Sequence, residues 1–147
     1  MDRVEYLDPF ARLDEQTHWE FPEGFLYYTA ERKFLALVRD IEQALGEKCT
    51  IDYHSAIQDA SFHAQLLVPE SCKSEDYVTQ LRVSNFGSLA TLYDADEVVK
   101  PDCADKIKDA LKQHGYIYIP SWILRESYAD EKNIGIPSWG VRYFDWL

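Results

Sequence analysis

Three polar side chains near the middle of the chain are of types that can do acid–base or metal chemistry. Asp52 and His54 are two residues apart, so they share one face of a β-strand, and His63 lies in the next predicted strand. If the hairpin between them pairs about residue 58, Asp52 falls opposite His63 and His54 lies near Ser61. A carboxylate can orient a histidine and tune its pKa, and two histidines with an aspartate can bind a divalent metal. The set predicts a small metal-assisted or acid–base enzyme, whereas the alternative is an ordinary solvated hairpin face.

The motifs that hold common cofactors are missing from the sequence. It contains no GxGxxG or GxxxxGK phosphate-binding loop, no GxSxG nucleophile elbow, no HExxH zinc motif and no EF-hand loop. The six glycines do not cluster. We therefore predict no cofactor and no resident metal, and the enzyme hypothesis rests on Asp52, His54 and His63 alone.

Two further groups have compositions that are found at interfaces. Asp94, Asp96 and Glu97 form an acidic cluster that can bind a cation, contact Lys and Arg of a partner, or only solvate a loop. Trp139 and Tyr143 belong to a run of aromatic residues, a type enriched at interface hot spots. We expect these five residues to contact a partner. Core packing of the aromatic run is one alternative, and an aromatic pocket for a small ligand is another.

The charge of the chain restricts the partners that it can bind. Its 147 residues include 26 Asp and Glu against 15 Lys and Arg, which gives a net charge of −11 at pH 7. A field of this sign repels phosphate backbones and anionic lipid surfaces, so we expect neither nucleic acid nor a membrane as a partner. The same field attracts a basic protein and accelerates its encounter with the chain.

The start of the sequence and its cysteines indicate a cytoplasmic protein. We find no signal-peptide pattern and no apolar run near the roughly 20 residues of a membrane span. Cys49, Cys72 and Cys103 are odd in number and form no CxxC pair, so we expect reduced thiols in a cytosol and no disulfide framework. Cys103 lies near a predicted helix start, where the pKa of a thiol is often lowered, but a small packed residue is the simpler role.

The spacing of apolar residues predicts one α+β domain over residues 1–147. A helix is predicted over 30–45, between Thr29 as its cap and Gly46 as its end. A second helix is predicted over 103–114, with Asp102 as its cap. Alternating patterns predict strands at 49–55, 61–68, 77–84, 88–93 and 116–119. The grouping of strands favours an antiparallel sheet of about four to five strands, with two main helices packed on one face.

Alternation also predicts which side chains of the 61–68 strand share a face. Phe62, Ala64 and Leu66 are expected to face the core, and His63 and Gln65 are expected on the opposite, polar face. This assignment places His63 on the same side of the hairpin as Asp52.

Two stretches resemble segments of small bacterial immunity-type proteins. They are the predicted strand–turn–strand segment Leu81–Thr91 and the aromatic run Trp139–Trp146, which together cover under a fifth of the chain. The resemblance implies a cytosolic protein that binds a cognate toxin domain, often a basic nuclease, and blocks it without doing chemistry. It assigns no role to a numbered residue. Together with the charge, it predicts a non-enzymatic binding protein that neutralises a basic partner.

Overall fold

The computed structural model describes residues 24–53, 57, 60–93, 96–126 and 138–145. The sheet consists of β1 (Ile51–Tyr53), β2 (Phe62–Leu67), β3 (Gln80–Ser84), β4 (Leu89–Tyr93) and β5 (Ile117–Tyr118), in that spatial order. The helices are α1 (Tyr27–Leu45), α2 (Pro101–Gln113), α3 (Ser121–Leu124) and α4 (Trp139–Phe144), with 3-10 turns at Glu70–Cys72 and Asp96–Val98. The predicted α+β class, with a five-stranded sheet and two main helices, is confirmed.

The strand pairing is antiparallel from β1 to β4, whereas β5 lies parallel to β4. The difference follows from the connections, because no α-helix lies between the first four strands in the described residues, whereas α2 lies between β4 and β5. A helix that returns the chain to the starting edge of the sheet allows the next strand to run in the same direction.

Helix α1 buries the apolar stripe that its sequence predicts. Phe34, Leu37 and Ile41 are fully buried against the sheet and α2. Gly46 has the left-handed φ of +77° and its N–H donates to the carbonyl of Glu42 at 2.9 Å, so the predicted helix end is confirmed. The predicted start is wrong, because α1 begins at Tyr27 and Thr29 lies inside its first turn.

Helix α2 begins two residues before the predicted position. Pro101 occupies its first turn, where the missing N–H has no intrahelical partner to lose. Asp102 therefore lies within the first turn instead of capping it. Its negative charge still interacts favourably with the positive end of the helix dipole.

The two largest hydrophobic clusters lie against the sheet, beside a third that consists of Ile57, Ala60 and Phe62. The larger cluster joins one face of the sheet to α1 and α2, and its strand members are Ala64, Leu66, Leu81, Val83, Ala90 and Leu92. The smaller cluster joins the β3–β4 turn and the segment after β5 to α3 and α4, with Phe86, Leu89, Ile119, Ile123, Leu124, Tyr143 and Phe144. The described part of the C-terminal aromatic run therefore packs mainly as core, the alternative that its composition left open.

Candidate functional site

A β-bulge at His63 re-aims the side chains at the start of β2. Phe62 pairs with Ser84 and Ala64 pairs with Val83, so β2 has one more residue than β3 between these two pairs. The extra residue is His63. A bulge of this kind interrupts the alternation of faces along a strand.

The bulge separates His63 from the polar face on which it was predicted. Arg82 lies over the ring of Phe62 at 4.4 Å and its Nε donates to Gln65 Oε1 at 3.1 Å, so Phe62 and Gln65 share the outer face. His63 instead lines a cavity together with Lys33 of α1 and with Val83, which belongs to the helix-covered core. The predicted faces of Phe62 and His63 are therefore wrong.

The hydrogen bonds of His63 fix which of its ring nitrogens carries the proton. Asn85 donates from Nδ2 to the carbonyl of Ala60 at 3.3 Å, which leaves its Oδ1 as an acceptor for His63 Nδ1 at 3.1 Å. The proton of the neutral ring therefore lies on Nδ1, and Nε2 presents a lone pair. Among the described residues Nε2 has no hydrogen-bond partner. Burial lowers the pKa of His63 to about 4, because the charged imidazolium is poorly solvated there.

Lys33 and Tyr116 supply the other polar atoms of this cavity. Lys33 Nζ donates to Ser88 Oγ at 3.1 Å and lies over the ring of Tyr116 at 4.2 Å from its centroid. Burial lowers the pKa of Lys33 and raises the pKa of Tyr116. The Tyr116 hydroxyl is buried and has no partner in the described part of the chain. A buried polar group without a partner costs roughly 1–3 kcal/mol.

The turn whose Ser88 accepts the hydrogen bond from Lys33 has an unusual backbone conformation. Ser88 has a φ of +55° and Gly87 one of +59°, in the turn that joins β3 to β4, and Leu89 N–H donates to Phe86 O at 3.2 Å. Two successive positive φ values are typical of the tight turns of β-hairpins. A non-glycine residue in this region is strained, and such strain is concentrated at functional sites. The turn holds the Ser88 hydroxyl at Lys33.

These side chains enclose one cavity, which we call the His63 pocket. Its volume is about 440 Å³, within the range of small-molecule sites. It is lined by Gly24, Phe25, Leu26, Thr29, Ala30, Lys33, His63, Val83, Ser84, Asn85, Gly87, Ser88 and Tyr116. Lys33 is its one formally charged lining residue in the described chain. The pocket combines apolar walls with a small number of directed polar groups.

The structure does not bring Asp52 and His63 together as the hairpin register predicted. Asp52 pairs with Gln65, not His63, and its Oδ2 accepts a hydrogen bond from Gln65 Nε2 at 3.2 Å on the outer face. His54 lies outside the described residues. Among those that are described, no three His, Cys, Asp or Glu side chains form a group that could hold a metal ion.

Two of the three predicted acidic contacts, Asp96 and Glu97, form bonds within the molecule. Asp96 accepts hydrogen bonds from the Tyr118 hydroxyl at 2.9 Å and from the N–H and hydroxyl of Ser121 at 3.0 and 2.6 Å. Burial alone would raise the pKa of Asp96, but these bonds outweigh it and the pKa is lowered. Glu97 pairs with Arg125 at 3.0 Å. Asp94 lies outside the described residues.

The predicted aromatic contacts lie in the smaller core cluster. Tyr143 is fully buried, and the half-buried Trp139 stacks on its ring with the centroids 6.0 Å apart. A fully buried side chain cannot contact a partner without rearrangement, so Tyr143 holds α4 against the fold.

A second surface feature, which we call the acidic groove, lies beside the Glu70–Cys72 turn. Glu47, Glu70 and Val78 line a depression of about 350 Å³, together with the exposed Lys48 and the buried Lys73. Glu75 and Asp76, in the loop before Val78, are exposed. Buried Lys73 anchors this loop by donating to Tyr77 O at 2.9 Å, and it pairs with Glu70 at 2.8 Å. Glu47 is distant in sequence from the other three carboxylates, and only the fold brings it beside the Glu70–Cys72 turn.

The cysteines differ from the prediction of reduced thiols. Cys72 and Cys103 form a disulfide with their Cα atoms 5.6 Å apart, which joins the first 3-10 turn to the first turn of α2. Cys49 is free and half-buried, and burial followed by the charges of Glu42 and Glu47 raises its pKa to about 11. The odd count failed as a guide because one cysteine is unpaired while the other two meet in the fold. A disulfide removes Cys103 as a thiol with a lowered pKa.

No similarity to a known protein indicates what the chain does. The chain matches no protein-family model, and searches of curated proteins and of solved structures found no similar protein. None of the helices in the described ranges is long and apolar enough to cross a membrane.

Proposed function

We propose that the protein is a non-enzymatic binding protein of the immunity or inhibitor type, which neutralises a basic protein partner such as a toxin domain. The observation that carries the proposal is the distribution of charge between the interior and the surface. The whole chain carries a net charge of −11. In the described residues no Asp or Glu is buried, whereas Lys73, Arg82 and Arg142 are.

Burial of these cations makes the accessible surface more acidic than the composition alone indicates. Arg82 is enclosed between the rings of Phe62 and Tyr93, and Arg142 lies over the ring of Phe86. Their charges stabilise the interior through cation–π contacts and hydrogen bonds, so they are not presented to a partner. An approaching protein meets mainly carboxylates, which favour a basic surface and a fast encounter.

The acidic groove combines exposed apolar and acidic side chains, as a protein interface does. Tyr77, at 43% exposure, and Val78, at 64%, directly follow the exposed Glu75 and Asp76, and Glu70 lines the depression with Val78. The four carboxylates outnumber Lys48 and Lys73. An interface combines apolar anchors with charged groups at its rim. We therefore place the contact with the partner here, since Asp96 and Tyr143 of the predicted set are used inside the molecule.

A cytoplasmic location is part of this proposal, as the resemblance to immunity-type proteins implies. The Cys72–Cys103 disulfide bears on it, because disulfides are rare in a reducing cytosol. The number of thiols that react in protein alkylated at cell lysis separates the two states. Three reactive thiols after denaturation indicate a reduced cytosolic form, and one indicates that the disulfide persists.

The proposal is tested by affinity capture from lysate of the native source at low salt, with elution by rising salt. The groove variant is Glu70→Gln/Glu75→Gln/Asp76→Asn. Its control, Asp102→Asn/Asp105→Asn/Asp109→Asn, removes the same charge from the exposed side of α2. We expect the wild type and the control to retain one stoichiometric basic protein, and the groove variant to release it at lower salt.

Two outcomes would contradict the proposal. The first is an eluate without a basic protein, even from cells that express a toxin. The second is equal weakening by both variants, which would indicate a general charge effect and no specific surface. The captured partner must also lose its own activity when it is mixed with the purified wild type, since binding alone does not make an inhibitor.

A further inference from the structure

Two residues that line the His63 pocket have a buried polar atom without a hydrogen-bond partner in the described part of the chain. His63 is 5% exposed and Tyr116 is 7% exposed, and both line the cavity. His63 Nε2 and the Tyr116 hydroxyl have no partner among the described residues. Buried polar atoms are nearly always paired, so two such atoms around one cavity indicate a bound molecule that pairs with them.

Whether each atom donates or accepts a hydrogen bond defines the ligand group that it would contact. His63 Nε2 is an acceptor, because Asn85 takes the proton on Nδ1. It requires a donor. The Tyr116 hydroxyl can donate, and the Lys33 ammonium retains N–H donors beyond the one that Ser88 accepts. These two groups require an acceptor, and the ammonium favours an anionic one.

The walls of the pocket define the rest of the ligand. Phe25, Leu26, Ala30 and Val83 present apolar surface. No described carboxylate lines the cavity, although Glu31 lies close enough to act electrostatically on His63. A cationic ligand would therefore meet Lys33 without a compensating anion at its side, whereas a carboxylate would pair with it.

We propose that the His63 pocket binds a small organic acid that has an apolar body, one carboxylate and a separate hydroxyl or N–H donor. The carboxylate contacts Lys33 and the Tyr116 hydroxyl, the donor contacts His63 Nε2, and the body packs against Phe25 and Val83. The β-bulge that turns His63 inward and the left-handed Ser88 that holds Lys33 both serve this site. The His63 pocket and the acidic groove have no lining residue in common. Binding of the small acid therefore does not depend on the proposed protein partner.

The test uses aromatic acids that differ in span, followed by isothermal titration calorimetry. The probes are meta-hydroxybenzoate, para-hydroxybenzoate and para-hydroxyphenylacetate. Two matched compounds each lack one group: phenylacetate lacks the hydroxyl, and tyramine has an ammonium in place of the carboxylate. We expect saturable binding of at least one hydroxy acid, about tenfold weaker binding of the acid without its hydroxyl, and no binding of tyramine.

Three variants assign the binding to this pocket. Lys33→Met is expected to weaken binding by about tenfold or more, because it removes the cation. Tyr116→Phe removes only the unpartnered hydroxyl, so it should fold as the wild type does and bind several-fold more weakly. Lys112→Met, at an exposed position on α2, is the control and should leave the affinity unchanged.

A spectroscopic readout separates a contact with His63 from a structural effect. The ¹⁵N chemical shift of Nε2 should move on binding, since a lone pair that accepts a hydrogen bond changes its shielding. The proposal is overturned if none of the hydroxy acids binds at about 10 mM, a very weak affinity for a pocket of this size. It is equally overturned if Lys33→Met and Tyr116→Phe bind as the wild type does.

Discussion

The lowered pKa of His63 should make the free energy of unfolding depend on pH between about 4 and 6.5, a range in which few other side chains titrate. Burial lowers the pKa of His63 from 6.5 to about 4 in the folded state. Between these values the unfolded chain binds a proton that the folded chain does not bind. The stabilisation by the neutral ring is therefore fully present above pH 6.5, falls as the pH falls, and is lost once the pH reaches about 4.

The size of the effect follows from the two pKa values. The difference corresponds to about 3.4 kcal/mol over the whole window, at about 1.36 kcal/mol per pH unit. Between pH 7 and pH 5 the expected loss is about 2 kcal/mol, because most of the unfolded histidine becomes protonated while the folded one stays neutral. This is a large fraction of the net stability of a small domain.

The matched variant is His63→Asn, whose side-chain N–H can replace the donor at Nδ1 without titrating. The free energy of unfolding is measured by denaturant titration at pH 7, 6 and 5 for both proteins. We expect the advantage of the wild type over His63→Asn to shrink by about 2 kcal/mol from pH 7 to pH 5. His114→Asn removes a histidine that does not line the pocket, and the His63 effect should persist in that background.

The refuting result is a difference between wild type and His63→Asn that stays constant with pH. It would mean that the histidine titrates normally in the folded state, and hence that it is solvated. A ¹⁵N spectrum at pH 7 with the proton on Nε2 would refute the assignment of the lone pair, independently of stability.

Two further predictions concern the contacts that hold the loops. Replacing Cys72 and Cys103 by serine opens a link between residues 31 apart in sequence and should lower the free energy of unfolding by about 3–4 kcal/mol, as measured by urea titration, whereas an unchanged midpoint would show that the link is not formed in solution. Asp96→Asn should cost about 1–2 kcal/mol at neutral pH, because it weakens charge-assisted bonds from Tyr118 and Ser121. Since the folded pKa of Asp96 is lowered, that cost should be present above its usual pKa of 3.8 and vanish as the pH falls through the folded value, and a cost that persists in acid would contradict the network.

Local patterns were sufficient for the main elements of the fold. The apolar stripe of Phe34, Leu37 and Ile41 can be buried only on one side of a helix, and Gly46 tolerates the left-handed backbone that ends it. The turn that contains Gly87 was predictable for the same reason, since positive φ values select glycine. These features depend on residues that are close in sequence.

The candidate site could not be predicted in the same way. Strict alternation placed His63 with Gln65, and the one inserted residue of the bulge reverses that assignment for Phe62 and His63. Nothing in the local sequence marks the bulge. Lys33 and Tyr116 were not singled out, since each is an ordinary residue of a helix or a short strand boundary until the fold brings both to His63.

By itself, the sequence determined the class of fold, the approximate positions of the two main helices and of the strands, and the negative charge of the molecule, because these follow from composition and short-range periodicity. It did not indicate the short helices α3 and α4. Only the tertiary structure decided which polar side chains meet. It moved Asp96 from a surface cluster into a hydrogen-bond network, joined Cys72 to Cys103, and brought Lys33 to His63 across about thirty residues of chain. The physical reason is that contacts between distant residues depend on strand register and helix packing, in which a shift of one residue changes the neighbours of every side chain.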